Sequence, residues 1–164
     1  MPATLTTERF VLSREELTDA DWLASLFTAR GDGPVTVDQA RERIAAMHDL
    51  TRTHGIGAYV LRPRDGSAPA GYAAIVVGRS TAEEPELAYE LLPHAHGLGY
   101  ATEASRAVLA AAFATGRRRI WATVRPWNSA SLRVLQKLGG FDLARTTSDE
   151  RGEVLWFACV QEAG

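Results

Sequence analysis

Cysteine is nearly missing from this chain of 164 residues: Cys159 stands alone. A single cysteine cannot close an internal disulfide, and such usage fits a reducing compartment. An excess of one charge is missing too. Eighteen Lys and Arg face twenty Asp and Glu, for a net charge of -2, so no basic footprint points to nucleic acid. No apolar run approaches the roughly 18 residues of a membrane span. Met1 to Arg9 lacks the charged-then-apolar layout of a secretory signal, so a cytoplasmic location is expected. There is no internal repeat, low-complexity tract or linker. The length therefore fits one domain over 1–164, large enough to bury a core without staples.

What is present reads as alternating strands and helices. Arg9 to Arg14 is a strand pattern. Thr18, with Asp21 three residues on, predicts a capped helix carrying Trp22, Leu23, Leu26 and Phe27, stopped at Gly31-Asp32-Gly33-Pro34. Thr36 with Gln39 predicts a second capping box and a helix to about Arg52. Gly57 to Arg62 and Gly71 to Val77 read as strands around a turn, the second apolar throughout as if buried on both faces. Glu86 to Leu92 alternates carboxylates with apolar residues. Thr102 to Thr115 is a small-residue helix, and Arg119 to Val124 is the next strand. Asn128 opens a helix carrying Leu132, Leu135 and Leu138, ended by Gly139-Gly140. Phe141 to Thr147 and Val154 to Val160 form a closing hairpin. The order β-αα-βββ-α-β-α-ββ predicts an α/β fold, one mixed sheet with helices on both faces.

The segment His96-Gly97-Leu98-Gly99-Tyr100-Ala101-Thr102 carries the first chemical signal. Glycines let the backbone turn sharply and approach a ligand. The helix that follows directs free N–H groups and a partial positive charge out of the turn, a ready cradle for phosphate. A tight strand-to-helix turn would look the same. No Gly-Lys-Ser/Thr follows, so a nucleotide phosphate loop of that type is excluded. The third glycine of a dinucleotide fingerprint is missing as well. His94 and His96 form a pair without further ligands at metal-binding spacing, so no metal is expected.

The loop resembles the coenzyme loop of the GNAT N-acetyltransferase superfamily, written Q/R-x-x-G-x-G/A. Gly99 and Ala101 fall in place, and His96 stands where that family has Gln or Arg. The run Gly97 to Ala104 is similar to the branch that acetylates ribosomal-protein N-termini. So are Asn128-x-x-Ser131 followed by Leu138-Gly139-Gly140-Phe141, with one glycine extra, and the opening Thr7 to Leu12. The resemblance spans nearly the whole chain and keeps the order of elements. It implies acetyl-CoA as cosubstrate, with His96, Gly97, Leu98, Gly99, Tyr100, Ala101 and Thr102 around the pyrophosphate. Main-chain groups near Leu91 and Leu92 would meet the pantetheine arm, in a gap between this strand and that of Trp121. One N–H there would polarise the thioester carbonyl. Asn128 would contact the arm, and Ser131 would protonate the leaving thiolate.

Acetyl transfer to an amine needs the neutral amine, whose pKa is near 8 for an α-amino group and about 10.4 for lysine. Glu86 and Glu90 share one face of their strand, and either could take that proton directly or through water. Solvent-facing charge is the plainer alternative for both. Glu103 is a third candidate, already explained by the helix dipole. Asn128 could be an N-cap and nothing more. Tyr100, Trp121 and Trp127 fit either core or rim. Cys159 lies in an apolar strand and reads as core, so direct attack in a ternary complex is expected rather than an acetyl-enzyme. The acceptor, a protein N-terminus or a small amine, would sit between Ala29 to Val35 and Ser148 to Gly152. The alternative is a binding module that holds acyl-CoA without catalysis. The closing hairpin could also pair between subunits in a homodimer.

Overall fold

The computed structural model describes residues 1–161, and among them eight strands form a single sheet. The strands are β1 (Thr4–Thr6), β2 (Phe10–Arg14), β3 (Gly57–Pro63), β4 (Gly71–Val76), β5 (Glu86–Leu91), β6 (Arg119–Val124), β7 (Phe141–Asp149) and β8 (Gly152–Val160). The helices are α1 (Ala20–Thr28), α2 (Val37–His54), α3 (Tyr100–Phe113) and α4 (Ser129–Leu138). The sheet runs β1-β2-β3-β4-β5-β6-β8-β7. Every neighbouring pair is antiparallel except β5 and β6, which are parallel. The expected order of elements holds, with β1 added at the edge. Its three residues are too few to show a period.

Local chemistry explains most boundaries. Thr36 accepts a hydrogen bond from Gln39 N while Gln39 reaches back to Thr36 N, so α2 starts at the expected capping box. Gly55 ends it at φ 68°, a conformation only glycine takes freely. The start of α1 differs from expectation. The box is Glu16 with Asp19, not Thr18 with Asp21, and a single 3-10 turn over Leu17–Asp19 precedes the helix. Asp19 is drawn there by its partners. Its carboxylate accepts from Arg62 at 2.7 Å, Glu16 N at 2.9 Å and Trp22 Nε1 at 3.0 Å. Burial pushes this carboxyl up, but Arg62 and the other donors outweigh it, and the net shift is downward.

Two helical layers cover the sheet. Leu87, Ile120 and the partly buried Tyr89 and Leu91 pack against Ala104, Val108 and Ala112 of α3. Ala122 and Val124 meet Leu135 of α4. On the opposite face, Leu23, Leu26 and Ile44 of α1 and α2 pack with Tyr72 and Leu92. Each such buried aliphatic side chain contributes about 1.5–3 kcal/mol relative to an exposed one. The alanines of α3 let that helix lie close to the sheet. Among the described residues, no helix is long and apolar enough to cross a membrane.

The pairing that positions the site is the weakest in the sheet. β5 and β6 share one bridge, Glu86 with Trp121, and Trp121 N donates to Pro85 O at 2.8 Å. Beyond it the two strands diverge. β6 turns to β8, with which it forms six register pairs.

Candidate active site

The gap between β5 and β6 is lined by main-chain groups whose direction follows from the register. Leu92 N donates to Ala70 O at 2.9 Å, toward β4. Alternation then turns the main chain of Glu90 and Ala88 toward β4, and that of Leu91 and Tyr89 into the gap. Leu92 was expected to face the gap. Its N–H is instead spent on Ala70, and its carbonyl accepts from Ala95 N at 2.9 Å. Tyr89, which the sequence reading passed over, takes that place beside Leu91. The carbonyl of Leu91 lies 2.8 Å from His96 Nε2, so the histidine that departs from the usual Gln or Arg folds back onto the end of β5.

The N-terminus of α4 stands across the gap. Asn128 Oδ1 accepts from Ser131 N at 3.1 Å, which makes Asn128 the N-cap of this helix. Tyr89 Oη donates to Ser131 O at 3.1 Å and so ties β5 to α4. Burial pushes the Tyr89 phenol up to about 12, so it remains a neutral donor. Ser131 Oγ makes no hydrogen bond among the described residues, and the side chain is half-buried.

The glycine loop enters α3 through two left-handed turns, Gly97 at φ 75° and Gly99 at φ 79°. Gly99 occupies the N-cap position and has no side chain to cap with. The first helical bond is Glu103 N to Gly99 O at 3.1 Å. The N–H groups of Tyr100, Ala101 and Thr102 therefore have no acceptor among the described residues, the condition that favours an anion. Arg9, unrecognised from sequence, braces this turn. It donates to Leu98 O at 2.9 Å through Nη1 and to Glu103 through N at 2.8 Å and Nε at 2.6 Å. Its guanidinium also lies 4.6 Å from the centroid of the Tyr100 ring. Burial pushes the Glu103 carboxyl up, but hydrogen bonds from Thr7 and Arg9 prevail and hold it below the usual range. Glu103 is thus a brace for the loop.

The two strand carboxylates share one face but not one environment. Glu86 is buried where β5 and β6 part, accepting from Thr123 Oγ1 at 2.7 Å and from Arg79 N. Glu90 is gripped by Arg30 and lies 3.2 Å from Tyr72 Oη. Its lone pairs are already committed.

The two segments expected to flank an acceptor do meet. Arg151 of the β7–β8 turn pairs with Asp32 of the α1–α2 turn. Asp149 beside it accepts from Arg151 N, Arg125 and Arg79, which hold its carboxyl down at about 2. Arg79 ties this corner to the loop before β5, next to Glu86. A depression of about 680 Å³ opens at the far end of the sheet around Thr53 to Gly55, Ala82 to Glu84 and Thr115 to Arg119. None of the expected site residues lines it.

The remaining candidates separate by burial. Tyr100 packs edge-on against Phe10 at 4.7 Å, and Trp121 against Trp156 at 5.6 Å. Trp127 is 77% exposed beside Asn128. Cys159 is half-buried, and burial followed by Asp142 pushes its thiol up, away from a reactive thiolate. Among the described residues, no group of three or more His, Cys, Asp or Glu gathers as a metal site.

Comparison with known proteins fits this arrangement. The sequence matches the Acetyltransferase (GNAT) domain family over residues 9–140. A protein from Bordetella pertussis assigned to the GNAT acetyltransferase family is 26% identical, with a TM-score of 0.84 over 96% of this chain and 99% of that one. An acetyltransferase from Agrobacterium tumefaciens C58 is 27% identical, with a TM-score of 0.79 over 98% and 95%. A ribosomal L7/L12 α-N-protein acetyltransferase, RimL, solved with coenzyme A, shares the fold at 16% identity, with a TM-score of 0.78 over 96% and 97%. No curated protein matches the sequence. With a one-bridge parting of β5 from β6, an uncapped α3 behind a glycine loop, and a family match over most of its length, the chain belongs to the GNAT acetyltransferase family.

Proposed function

We propose that this chain is, over 1–164, a single-domain N-acetyltransferase that moves an acetyl group from acetyl-CoA to a primary amine. The observation that carries this reading is the gap between β5 and β6, into which the register turns the main chain of Tyr89 and Leu91 and at which Tyr89 Oη holds the carbonyl of Ser131. The unpaired N–H groups of Tyr100, Ala101 and Thr102 suit a pyrophosphate, with Gly97, Leu98, Gly99 and His96 shaping the turn around it. The pantetheine arm would lie along the free edge of β5 beside Asn128. A gap-facing amide would polarise the thioester carbonyl as charge grows on its oxygen.

The acceptor amine would approach from the face that carries Glu86, attack the carbonyl carbon, and expel the coenzyme sulfur. Glu86, held by Thr123 and the Arg79 amide, would take the ammonium proton directly or through water. Glu90 serves better as an anchor for Arg30 than as the base. The free hydroxyl of Ser131 would hand its proton to the departing thiolate, whose conjugate acid has a pKa near 8–9. Attack is direct, because burial and Asp142 push the Cys159 thiol up and leave it unactivated.

The RimL structure was solved with coenzyme A, and a further neighbour with acetyl-CoA and AMP. Both support the choice of cosubstrate. A protein N-terminus is the acceptor suggested by the first of these, and a small amine remains in the comparison panel. The test is detection of released thiol with acetyl-CoA against peptides and free amines, for the native chain and Ser131→Ala. Transfer requires thiol release, and the variant should lose turnover by about 100-fold or more while keeping coenzyme affinity. Coenzyme binding without release for any amine class contradicts the reading and leaves a non-catalytic acyl-CoA-binding module.

A further inference from the structure

A second cavity lies on the face of the sheet opposite α3. It encloses about 170 Å³ between α1, α2, β3 and β4, and its lining includes Glu15, Phe27, Ile44, Ala58, Tyr72 and Ala74. The register explains why it exists. Ala58 pairs with Ala74, and Ala74 with Ala88. Three adjacent strands thus present alanine in one row on one face, and the small side chains lower the floor beneath the two helices. The row leads from the free edge of β5, where the thioester would lie, across β4 to β3. It is bounded on one side by Tyr72 and Glu90 and on the other by Val76 and Glu86.

Glu15 stands at the β3 end. Arg14 pairs with Tyr59, so the next residue falls beside Ala58. Glu15 is 7% exposed, yet among the described residues no donor reaches its carboxylate. Its main-chain carbonyl, 2.8 Å from His48 Nε2, is the part secured to α2. A buried carboxylate without a donor is costly to keep charged. Burial accordingly pushes this carboxyl up to about 7, with His48 and Arg14 pulling down and Asp19 pushing up. Of the two arginines on the cavity wall, Arg30 is committed to Glu90 and Tyr72. Arg43 is exposed and lies over the Phe27 ring, 4.8 Å from its centroid. Among the described residues, the one group inside that lacks a partner is an acceptor of hydrogen bonds.

We propose that the cavity receives the far end of the acceptor, and that the acceptor carries a second ammonium group which Glu15 binds. Three inter-strand steps of about 4.8 Å separate β5 from the Glu15 backbone, which follows β2, and its side chain reaches back over Ala58 by about one of them, so the two nitrogens lie about 10 Å apart. The acceptor class is then an extended diamine or polyamine. A binding ammonium supplies the missing donor and keeps the carboxylate ionised, while the alanine floor and the Phe27 and Ile44 roof accept the intervening methylenes. This inference rests on the acetyl-transfer reading for the position of the reacting nitrogen.

The test compares 1,7-diaminoheptane with heptylamine and with 7-aminoheptanoate, by thiol release in the native chain, Glu15→Gln and Ala74→Leu. The diamine should exceed both others in kcat/KM by about tenfold or more, the scale of one charge-assisted hydrogen bond. That preference should fall to about one in Glu15→Gln and also when Ala74→Leu fills the floor. Equal use of diamine and monoamine, a preference for the amino acid, or a preference that survives Glu15→Gln would overturn the proposal. Thermal shift separates this from failure of the acetyl-transfer reading. If no amine releases thiol, a diamine-specific rise in Tm that Glu15→Gln abolishes still supports the site, and its absence still refutes it.

Discussion

Replacing Gly99 by alanine tests whether the loop before α3 binds the coenzyme or merely turns the chain. Gly99 has φ +79°, and a Cβ there would meet nothing nearer than Arg9 Nη2 at 3.6 Å. The cost is therefore backbone strain without collision, about 1–2 kcal/mol for an L-residue held left-handed. For a chain of this size, each kcal/mol shifts Tm by about 2–4 °C. Gly116 is the control: its φ is +88°, nothing lies within 4 Å, and it sits in the turn after α3, at the opposite end of that helix. Gly116→Ala should lose a similar amount of stability. Only Gly99→Ala should disturb the amides of Tyr100 to Thr102. A charge-assisted hydrogen bond contributes about 1.5–3 kcal/mol, so losing one raises KM for acetyl-CoA by about tenfold to a hundredfold. Turnover at saturating coenzyme should fall much less. Thermal melts and thiol-release kinetics on both variants measure this. Equal KM changes in the two, or none in Gly99→Ala, would refute the phosphate-binding argument.

Three further perturbations have defined signs. Glu15 titrates near 7 in the fold against 4.5 unfolded, so the native state holds the extra proton between those values and stability falls as pH rises through them, by up to about 3 kcal/mol. Glu15→Gln should gain Tm over the native chain at pH 8 and not at pH 4.5, and a pH-independent difference would contradict this. Asp19→Ala leaves Arg62, Trp22 Nε1 and Glu16 N without their shared acceptor and should cost about 3 kcal/mol by chemical denaturation; a loss below about 1 kcal/mol would show that solvent replaces the carboxylate. Arg151→Ala breaks an exposed pair with Asp32, so stability should change by less than about 1 kcal/mol. Its effect belongs in KM for the amine and not for acetyl-CoA, as steady-state kinetics would report.

The parts of the fold legible in sequence are those governed by short-range chemistry. The capping box at Thr36, the glycines at 97 and 99, and the alternation of Glu86 and Glu90 all act within a few residues, and the structure has them where expected. Illegible features depend on contacts across the fold. Asp19 rather than Thr18 organises the start of α1 because Arg62 is 43 residues away in sequence and adjacent in space. Arg9 braces a loop 89 residues on, and Arg30 captures Glu90 from 60 residues back. The main chain of Tyr89 rather than of Leu92 turns into the gap because the direction of a strand amide depends on register, which a single strand does not encode. The alanine row under the second cavity is invisible for the same reason: Ala58, Ala74 and Ala88 are unremarkable until three strands align them.

The most direct test of the account is a crystal structure of the chain with coenzyme A. The pyrophosphate should rest on the amides from Leu98 to Thr102. The pantetheine arm should run between the main chain of Tyr89 and Leu91 and the start of α4, with its sulfur near Ser131 Oγ. Phosphates bound away from that turn, or an arm lying outside the parting of β5 and β6, would contradict it.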